Sequence, residues 1–245
     1  MMIKQASRFV VCCCSVLVLY SCATPPSSVA KHDAEFWANQ VFTQEQQDKL
    51  TPDDVIKRMK EGNQRFVADT NTFRNHSEQV RQAAMGQHPK GIVLSCIDSR
   101  VPVEDIFELG IGDIFVARVA GNFENTDILG SMEYACKVAG AKLVLVLGHE
   151  YCGAIKGAID DVQLGNITSM LDNIKPAVNH FSHYAGNKTS ENESFVHMVA
   201  EQNVSDTIDN IREHSPILRE MEQQGKIKIV GGMYDMETGK VTFKY

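Results

Sequence analysis

An unbroken apolar run that leads straight into a polar motif reads KLVLVLGHEYCG and occupies residues 142–153. A run of Leu and Val of this length is typical of a strand that is buried on both faces of a sheet. A second stretch of the same design, GIVLSCIDSR, occupies residues 91–100. Because the carboxyl ends of neighbouring parallel strands meet at one edge of a sheet, we predict that the two polar motifs lie together.

Helical and strand patterns alternate on either side of these two stretches. We predict further strands over residues 114–119, 226–230 and 241–243, with a hairpin-like turn over 237–240 before the last one. Helices are predicted over residues 127–138, from 153 to about 160, over 167–183 and over 196–214, with a short helix after Pro102. The alternation predicts an α/β fold, in which a mostly parallel central sheet is flanked by helices.

The chain begins with a pattern that is typical of an exported protein. Basic residues precede an apolar run from Phe9 to Tyr20, which small residues follow. The run is shorter than the roughly 20 apolar residues that span a bilayer comfortably. We therefore predict a signal peptide over residues 1–21, a tether over 22–33, an N-terminal helical arm over 34–66 and an α/β domain over 67–245 that carries both polar motifs.

Two forms of export fit the leader. Residues 19–22 read LYSC and resemble the lipobox of bacterial lipoproteins, which predicts lipidation at Cys22 and a periplasmic protein anchored to the membrane by lipid. The Pro-Pro-Ser-Ser run over 25–28 is suited to a tether and favours this form. Cleavage after Ala23 is the alternative, and it would release a soluble periplasmic protein.

The predicted arm is amphipathic and has no core of its own. It carries Phe36, Trp37, Val41 and Phe42, which can pack either on a neighbouring subunit or on the same domain. A helix is predicted to begin at Thr51, where a capping residue precedes a proline and two acids. We predict that this helix is interrupted or ends at Gly62.

Composition narrows the class of protein. The chain has 245 residues, which suits one domain after the leader, and its net charge of -7 with no dense basic run predicts that it has no nucleic-acid partner. Its seven cysteines fall into a group near the N-terminus and three in the body. We predict that Cys136, one of those three, is an inert thiol in the core.

The polar motifs supply Cys96, His149 and Cys152, which are the residue types that bind zinc. Three protein ligands leave one of the four positions of a tetrahedral zinc open, as catalytic sites require. A dithiol redox site would need a Cys-x-x-Cys pair, which the body of the chain lacks. We therefore predict a catalytic Zn²⁺ site at these three residues.

Two charged residues follow the first predicted ligand. Asp98 is close enough to Cys96 to take the fourth position on the metal and block it. Arg100 can hold that carboxylate away from the metal with a two-pronged hydrogen bond. We therefore assign catalytic roles to both residues, Asp98 in orienting the reacting water and Arg100 in positioning Asp98.

Together, Cys96-x-Asp98-Ser99-Arg100 and His149-x-x-Cys152-Gly153 resemble the two signature segments of the β-class carbonic anhydrases. The likeness runs from about residue 51 to the C-terminus. It implies zinc-dependent hydration of carbon dioxide to bicarbonate in a small apolar pocket, and a homodimer or a dimer of dimers. It also implies substrate-binding roles for four residues: Gln87, Phe115, Tyr134 and Gly153.

One position departs from a subgroup of that family, which has a tryptophan three residues before the first zinc cysteine. Val93 stands there, and we therefore predict an open metal site near neutral pH, without coordination by Asp98. Two alternatives remain for function. One is a hydrolase of carbonyl sulfide or carbon disulfide on the same site, and the other is a non-catalytic surface protein that zinc stabilises.

Overall fold

A computed structural model describes residues 40–244 of the chain. The strands are β1 (Gly91–Ser95), β2 (Ile114–Arg118), β3 (Leu143–His149), β4 (Lys228–Tyr234) and β5 (Val241–Lys244). The helices are α1 (Gln44–Asp48), α2 (Pro52–Val67), α3 (His76–Ala83), α4 (Val103–Ile106), α5 (Thr126–Glu133), α6 (Gly153–Ile159), α7 (Gly165–Asp172), α8 (Lys175–Asn179), α9 (Glu193–His214) and α10 (Pro216–Gln223), with a π-helix at Tyr134–Val138. Across residues 40–244, none of the helices combines the length and the apolar character that crossing a membrane requires.

The five strands form one sheet in the order β2-β1-β3-β4-β5. The first four strands of that order are parallel, and β5 returns antiparallel to β4 through the predicted turn. Ser95 at the end of β1 pairs with Leu147 of β3, so the carboxyl ends of both strands lie at the same edge of the sheet. The α/β prediction is confirmed.

Each face of the sheet is covered by its own apolar core. Alternate residues of a strand point to opposite faces, so Leu94 and Val146 contribute to one core while Val93 and Leu145 contribute to the other. The first core includes buried residues of α9, and the second includes residues of α2. Every residue of β3 is buried, and full burial of each Leu or Val contributes about 1.5–3 kcal/mol. The strand that carries the second motif is therefore fixed on both sides.

Helix α2 continues through Gly62 to Val67, so the prediction that it is interrupted or ends at Gly62 is wrong. Thr51 and Asp54 cap its start reciprocally, as a capping box. A Cβ atom at Gly62 would lie 2.0 Å from the carbonyl oxygen of Phe107. Glycine is present because the helix approaches the neighbouring backbone closely there.

The described part of the predicted arm packs on its own domain. Phe42 is 4% exposed, and the ammonium of Lys90 lies 4.1 Å from the centre of its ring. Gln47 is buried, and its Nε2 donates to the carbonyl oxygens of Pro89 (2.7 Å) and Ala139 (2.8 Å). Phe36 and Trp37 lie outside the described residues, as do the predicted signal peptide, tether and Cys22.

Two predicted helices are divided in the structure. The helix over 127–138 becomes α5 followed by the π-helix, and Gly140 at φ +77° stops it. The helix over 167–183 is replaced by α7 and α8, with Pro176 in the first turn of α8. Proline lacks an N–H, so it interrupts a continuing helix but suits the first turn of a new one.

Candidate metal centre

The side chains of Cys96, His149 and Cys152 converge where β1 and β3 end. One potential ligand atom from each of the three lies within 4.8 Å of the other two. All three residues are buried, with exposures of 4%, 1% and 1% respectively. The cluster therefore joins Cys96 to two residues that lie more than fifty positions further along the chain, because parallel pairing brings the two strand ends together.

A tight turn lets the end of β3 provide two of the three residues. His149 is the last residue of the strand, and Cys152 caps the start of α6. Tyr151 between them has φ +55°, a conformation that non-glycine residues seldom adopt. Its hydroxyl donates to Glu237 Oε1 at 2.7 Å, in the turn between β4 and β5. Cys152 is thereby turned back toward His149.

The histidine presents a free nitrogen to the two sulfurs. His149 Nδ1 lies 2.8 Å from the carbonyl oxygen of Glu150, which makes Nδ1 the protonated nitrogen and leaves Nε2 with its lone pair. Nε2 is buried and, among residues 40–244, has no hydrogen-bond partner. A ring held by a backbone carbonyl with the other nitrogen free is the usual state of a metal-binding histidine. Two thiolates and one imidazole nitrogen are a donor set that fits zinc.

The two sulfur atoms lie 4.0 Å apart, so a proton on one of them can form a hydrogen bond to the other. The hydrogen bond from Cys152 lowers the pKa of Cys96, and the backbone N–H groups of Gly121 and Asp98 lower it further. The same bond and the burial of the group raise the pKa of Cys152. The thiolate form of Cys96 is therefore favoured. Cys152 favours the neutral thiol, and it must lose its proton when a metal cation binds.

Asp98 and Arg100 form the pair that the sequence predicts. Arg100 Nε donates to Asp98 Oδ1 at 3.0 Å and Nη2 donates to Oδ2 at 2.8 Å, while the backbone N–H of Arg100 donates to Oδ1 at 2.9 Å. These hydrogen bonds lower the pKa of Asp98 to about 2. The carboxylate is ionised at neutral pH and both of its oxygens are engaged by the guanidinium.

Gly153 is the first residue of α6 and borders open space. No heavy atom lies within 4 Å of the position that a Cβ atom would take there. The residue is exposed, although its neighbour Cys152 is buried. A small molecule can therefore approach the backbone at Gly153 next to the predicted ligands.

The other three predicted substrate-binding residues lie elsewhere in the chain. Phe115 and Tyr134 face each other with ring centres 6.2 Å apart, and both line a groove of about 750 Å³ along the edge strand β2. None of the three predicted zinc ligands lines this groove. Gln87 is exposed on the segment that leads into the amino end of β1, whereas the metal cluster lies at the carboxyl end. Within one chain, Gln87, Phe115 and Tyr134 therefore lie apart from the predicted zinc ligands.

Three residues that contact the site had no predicted role. Arg118, the last residue of β2, donates to the carbonyl oxygens of Cys96 (3.1 Å) and Val101 (2.7 Å) and so fixes the loop after β1. Gly121 donates its N–H to Cys96 Sγ at 3.3 Å, and Asn203 of α9 donates to the carbonyl oxygen of Gly121 at 2.8 Å. The sequence feature that could have identified Asn203 is its polar side chain among the apolar positions of its helix.

Comparison with known proteins agrees with this geometry. The model of a family described as carbonic anhydrase matches residues 91–241. The chain is 34% identical to "Carbonic anhydrase 2" of Mycobacterium tuberculosis over 194 residues, which covers 77% of this chain and 90% of the relative. It is 31% identical to a carbonic anhydrase of Mycolicibacterium smegmatis, with 77% of this chain and 91% of the relative covered.

Solved structures show the same likeness. A β-carbonic anhydrase of the fungus Aspergillus fumigatus superposes with a TM-score of 0.62 at 26% identity, covering 69% of this chain and 81% of that one. A structure from Sordaria macrospora superposes with a TM-score of 0.59 at 28% identity, covering 65% and 82%. The latter belongs to a report on two tetrameric β-carbonic anhydrases of that fungus.

Proposed function

The chain belongs to the β class of the carbonic anhydrase family, and we propose that it catalyses the reversible hydration of carbon dioxide to bicarbonate and a proton. The observation that carries this proposal is the buried cluster of Cys96, His149 and Cys152, beside which Asp98 is held by Arg100. The cluster has the residue types of a catalytic zinc site with one position left for water.

The metal and the Asp98–Arg100 pair have separate tasks in the proposed reaction. Zinc bound by these three residues would lower the pKa of a bound water to about 7 and so would supply a nucleophile at neutral pH. Asp98 is ionised, with a pKa of about 2, and a carboxylate can only accept a hydrogen bond. Asp98 therefore orients the nucleophile by accepting a hydrogen bond from it, and Arg100 keeps the carboxylate from moving.

Gly153 assists at the oxygen atoms of the substrate. Carbon dioxide becomes anionic as it is converted to bicarbonate, and a backbone N–H that faces the reacting molecule stabilises such charge. We assign this role to the N–H of Gly153, which begins α6 directly after Cys152, and the open space at its Cβ position leaves room for the substrate. A Cβ atom would meet no protein atom there, so a side chain at this position would extend into the space that the substrate needs.

We propose that the protein is a homodimer, or a dimer of dimers, in which the groove along β2 is covered by a second copy. β2 is an edge strand of the sheet, and exposed backbone edges favour pairing with another chain. Tyr134 is 52% exposed and Val138 is 70% exposed beside it. Gln87, Phe115 and Tyr134 lie away from the metal cluster of their own subunit, and a second copy could bring them to it.

Stopped-flow measurement of carbon dioxide hydration tests the proposed activity. The purified protein with zinc should accelerate hydration, and Asp98→Asn should lose most of this activity while retaining zinc. Carbonyl sulfide and carbon disulfide are assayed with the same sample, because the same nucleophile can attack either of them. Faster turnover of a sulfur compound than of carbon dioxide would assign the site to that substrate instead.

We also propose that the protein is exported and lipid-anchored through Cys22, in the periplasm. The support is the leader sequence, with its basic start, short apolar run and LYSC motif. Mass spectrometry of the mature N-terminus tests this proposal. Acylated Cys22 at the N-terminus is the expected result, an unmodified N-terminus at Thr24 would indicate the soluble form, and an intact Met1 would contradict export.

A further inference from the structure

A buried amide connects the longest helix to one of the predicted metal-binding sulfurs. Asn203 lies on α9 and is 2% exposed. Its Nδ2 donates to the carbonyl oxygen of Gly121 at 2.8 Å, and the N–H of the same glycine donates to Cys96 Sγ at 3.3 Å. We propose that Asn203 is a positioning residue for the metal-binding thiolate of Cys96 and acts by fixing the backbone of Gly121.

Gly121 requires such a constraint because of its backbone conformation. It has φ +84°, a region where glycine is favoured but is also free to adopt many alternatives. No larger residue fits, since a Cβ atom would lie 2.4 Å from Ile174 Cδ1. The direction of the N–H toward sulfur is therefore set by whatever holds the rest of the residue, and the hydrogen bond from Asn203 holds its carbonyl group.

The position of Asn203 also indicates a specific role. The neighbouring core positions of α9 are mainly apolar and include Val199, Ala200 and Val204. A leucine there would avoid burying an amide, which is costly unless the amide is hydrogen-bonded. Gly121 is 82 positions away in the chain, so the hydrogen bond joins α9 to the loop after β2. Asn203 thus specifies one arrangement of that loop over the sulfur.

The consequence for the metal follows from the charge on sulfur. An N–H that points at a thiolate stabilises its negative charge and holds the sulfur in one place, and the second hydrogen bond stops that N–H from turning away. Loss of a partner in the shell around metal ligands typically weakens metal binding by about 10–100-fold. The same change alters how strongly sulfur donates electrons to the metal, which is visible in the absorption of a cobalt-substituted site.

Gln47 provides a control in the same protein. It is 1% exposed on α1, and its Nε2 donates to the carbonyl oxygens of Pro89 (2.7 Å) and Ala139 (2.8 Å). It is thus a buried amide that fixes backbone before the amino ends of β1 and β3, at the opposite edge of the sheet from the metal cluster. Replacement of Gln47 tests what the loss of such hydrogen bonds does to stability alone.

The experiment measures zinc affinity by chelator competition on the full chain, and the charge-transfer absorption of the cobalt form, for wild type and four variants. Asn203→Asp keeps the size of the side chain but removes the donor, Asn203→Leu removes all polarity, and Asn203→Ser avoids overpacking if the larger variants fail to fold. Each Asn203 variant should bind zinc at least about 10-fold more weakly, with a shifted absorption band. Gln47→Leu should lower thermal stability and leave both metal readouts unchanged.

Two results would overturn the inference. One is unchanged zinc affinity and absorption in the folded Asn203 variants, and the other is an equal loss of affinity in Gln47→Leu. The inference rests on the proposed zinc site, and the two can fail separately. Wild-type protein that binds no zinc would refute the proposed function, whereas tight zinc binding by wild type and by the Asn203 variants alike would refute only the role of Asn203.

Discussion

The guanidinium of Arg100 contacts both carboxylate oxygens of Asp98, with Nε 3.0 Å from Oδ1 and Nη2 2.8 Å from Oδ2. Arg100 Nη2 also lies 3.5 Å from the carbonyl oxygen of Tyr151. The arginine therefore connects the loop after β1 to the loop after β3, in which Tyr151 lies between the other two predicted ligands. The side chain of Arg100 thus both holds Asp98 and joins the two loops.

Replacement of Arg100 should release Asp98. In Arg100→Ala the pKa of Asp98 should rise from about 2 toward its usual value of 3.8, because the hydrogen bonds that lower it are lost. The carboxylate remains ionised at pH 7 but becomes free to move toward the metal, and we expect kcat/KM for carbon dioxide hydration to fall about 100-fold. Arg81→Ala removes an exposed pair with Glu78 and should leave activity unchanged; equal activity in the two variants would contradict this role.

The wild-type site should be open near neutral pH. Val93 is fully buried within β1, and Asp98 is engaged by Arg100. A crystal structure of the zinc form grown near pH 7 should show three protein ligands, Cys96, His149 and Cys152, and no bond from zinc to Asp98. Coordination by Asp98 in such crystals would show that the open form is not the resting state.

Loss of metal should expose the protein to oxidation. The sulfurs of Cys96 and Cys152 lie 4.0 Å apart, and a shift of about 2 Å would bring them to disulfide length. We expect oxidant to join them in metal-free protein, with loss of zinc binding that a reductant reverses, and to spare the zinc form. Peptide mapping by mass spectrometry detects the bond, and equal oxidation with and without zinc would argue against this prediction.

Cys136 serves as the internal control for that experiment. It is 2% exposed, and burial raises its pKa to about 12. A raised pKa favours the neutral thiol, which reacts poorly with oxidants and alkylating agents. Cys136 should therefore stay unmodified in folded protein between pH 6 and about pH 9, with or without zinc.

Because α2 approaches the backbone of Phe107 closely, replacement of Gly62 by any larger residue should lower the free energy of unfolding. Helix propensity alone favours Ala over Gly by up to about 1 kcal/mol. At Gly62, however, a Cβ atom would lie 2.0 Å from a carbonyl oxygen, whereas at Gly130 of α5 nothing lies within 4 Å. Gly62→Ala should lower the free energy of unfolding by about 3 kcal/mol, and Gly130→Ala should leave it unchanged or raise it by up to about 1 kcal/mol. Urea titration checks both; a neutral Gly62→Ala would contradict the packing described here.

The metal cluster could be predicted from the sequence because each of its residues lies in a short motif next to a predicted strand. Each motif lies at the end of a strand, so parallel pairing alone brings Cys96 to His149 at the end of β3 and to Cys152 just after it. Gly62 shows the limit of such reasoning, since a glycine within a helix pattern reads as an ending until its contact with Phe107, 45 residues further on, is known. Asn203 shows the same limit, because its partner Gly121 lies 82 positions away. Contacts of this kind depend on how distant segments pack, and residue types along the chain do not reveal them.

Titration of metal-free, reduced protein with zinc, followed by stopped-flow assay of carbon dioxide hydration at each step, tests the central claim most directly. Activity should rise in proportion to zinc and level off at one equivalent per chain, and Cys152→Ser, which lacks one of the three ligands, should show neither tight binding nor activity. Full zinc occupancy without acceleration of hydration, or activity that does not depend on zinc, would contradict the account.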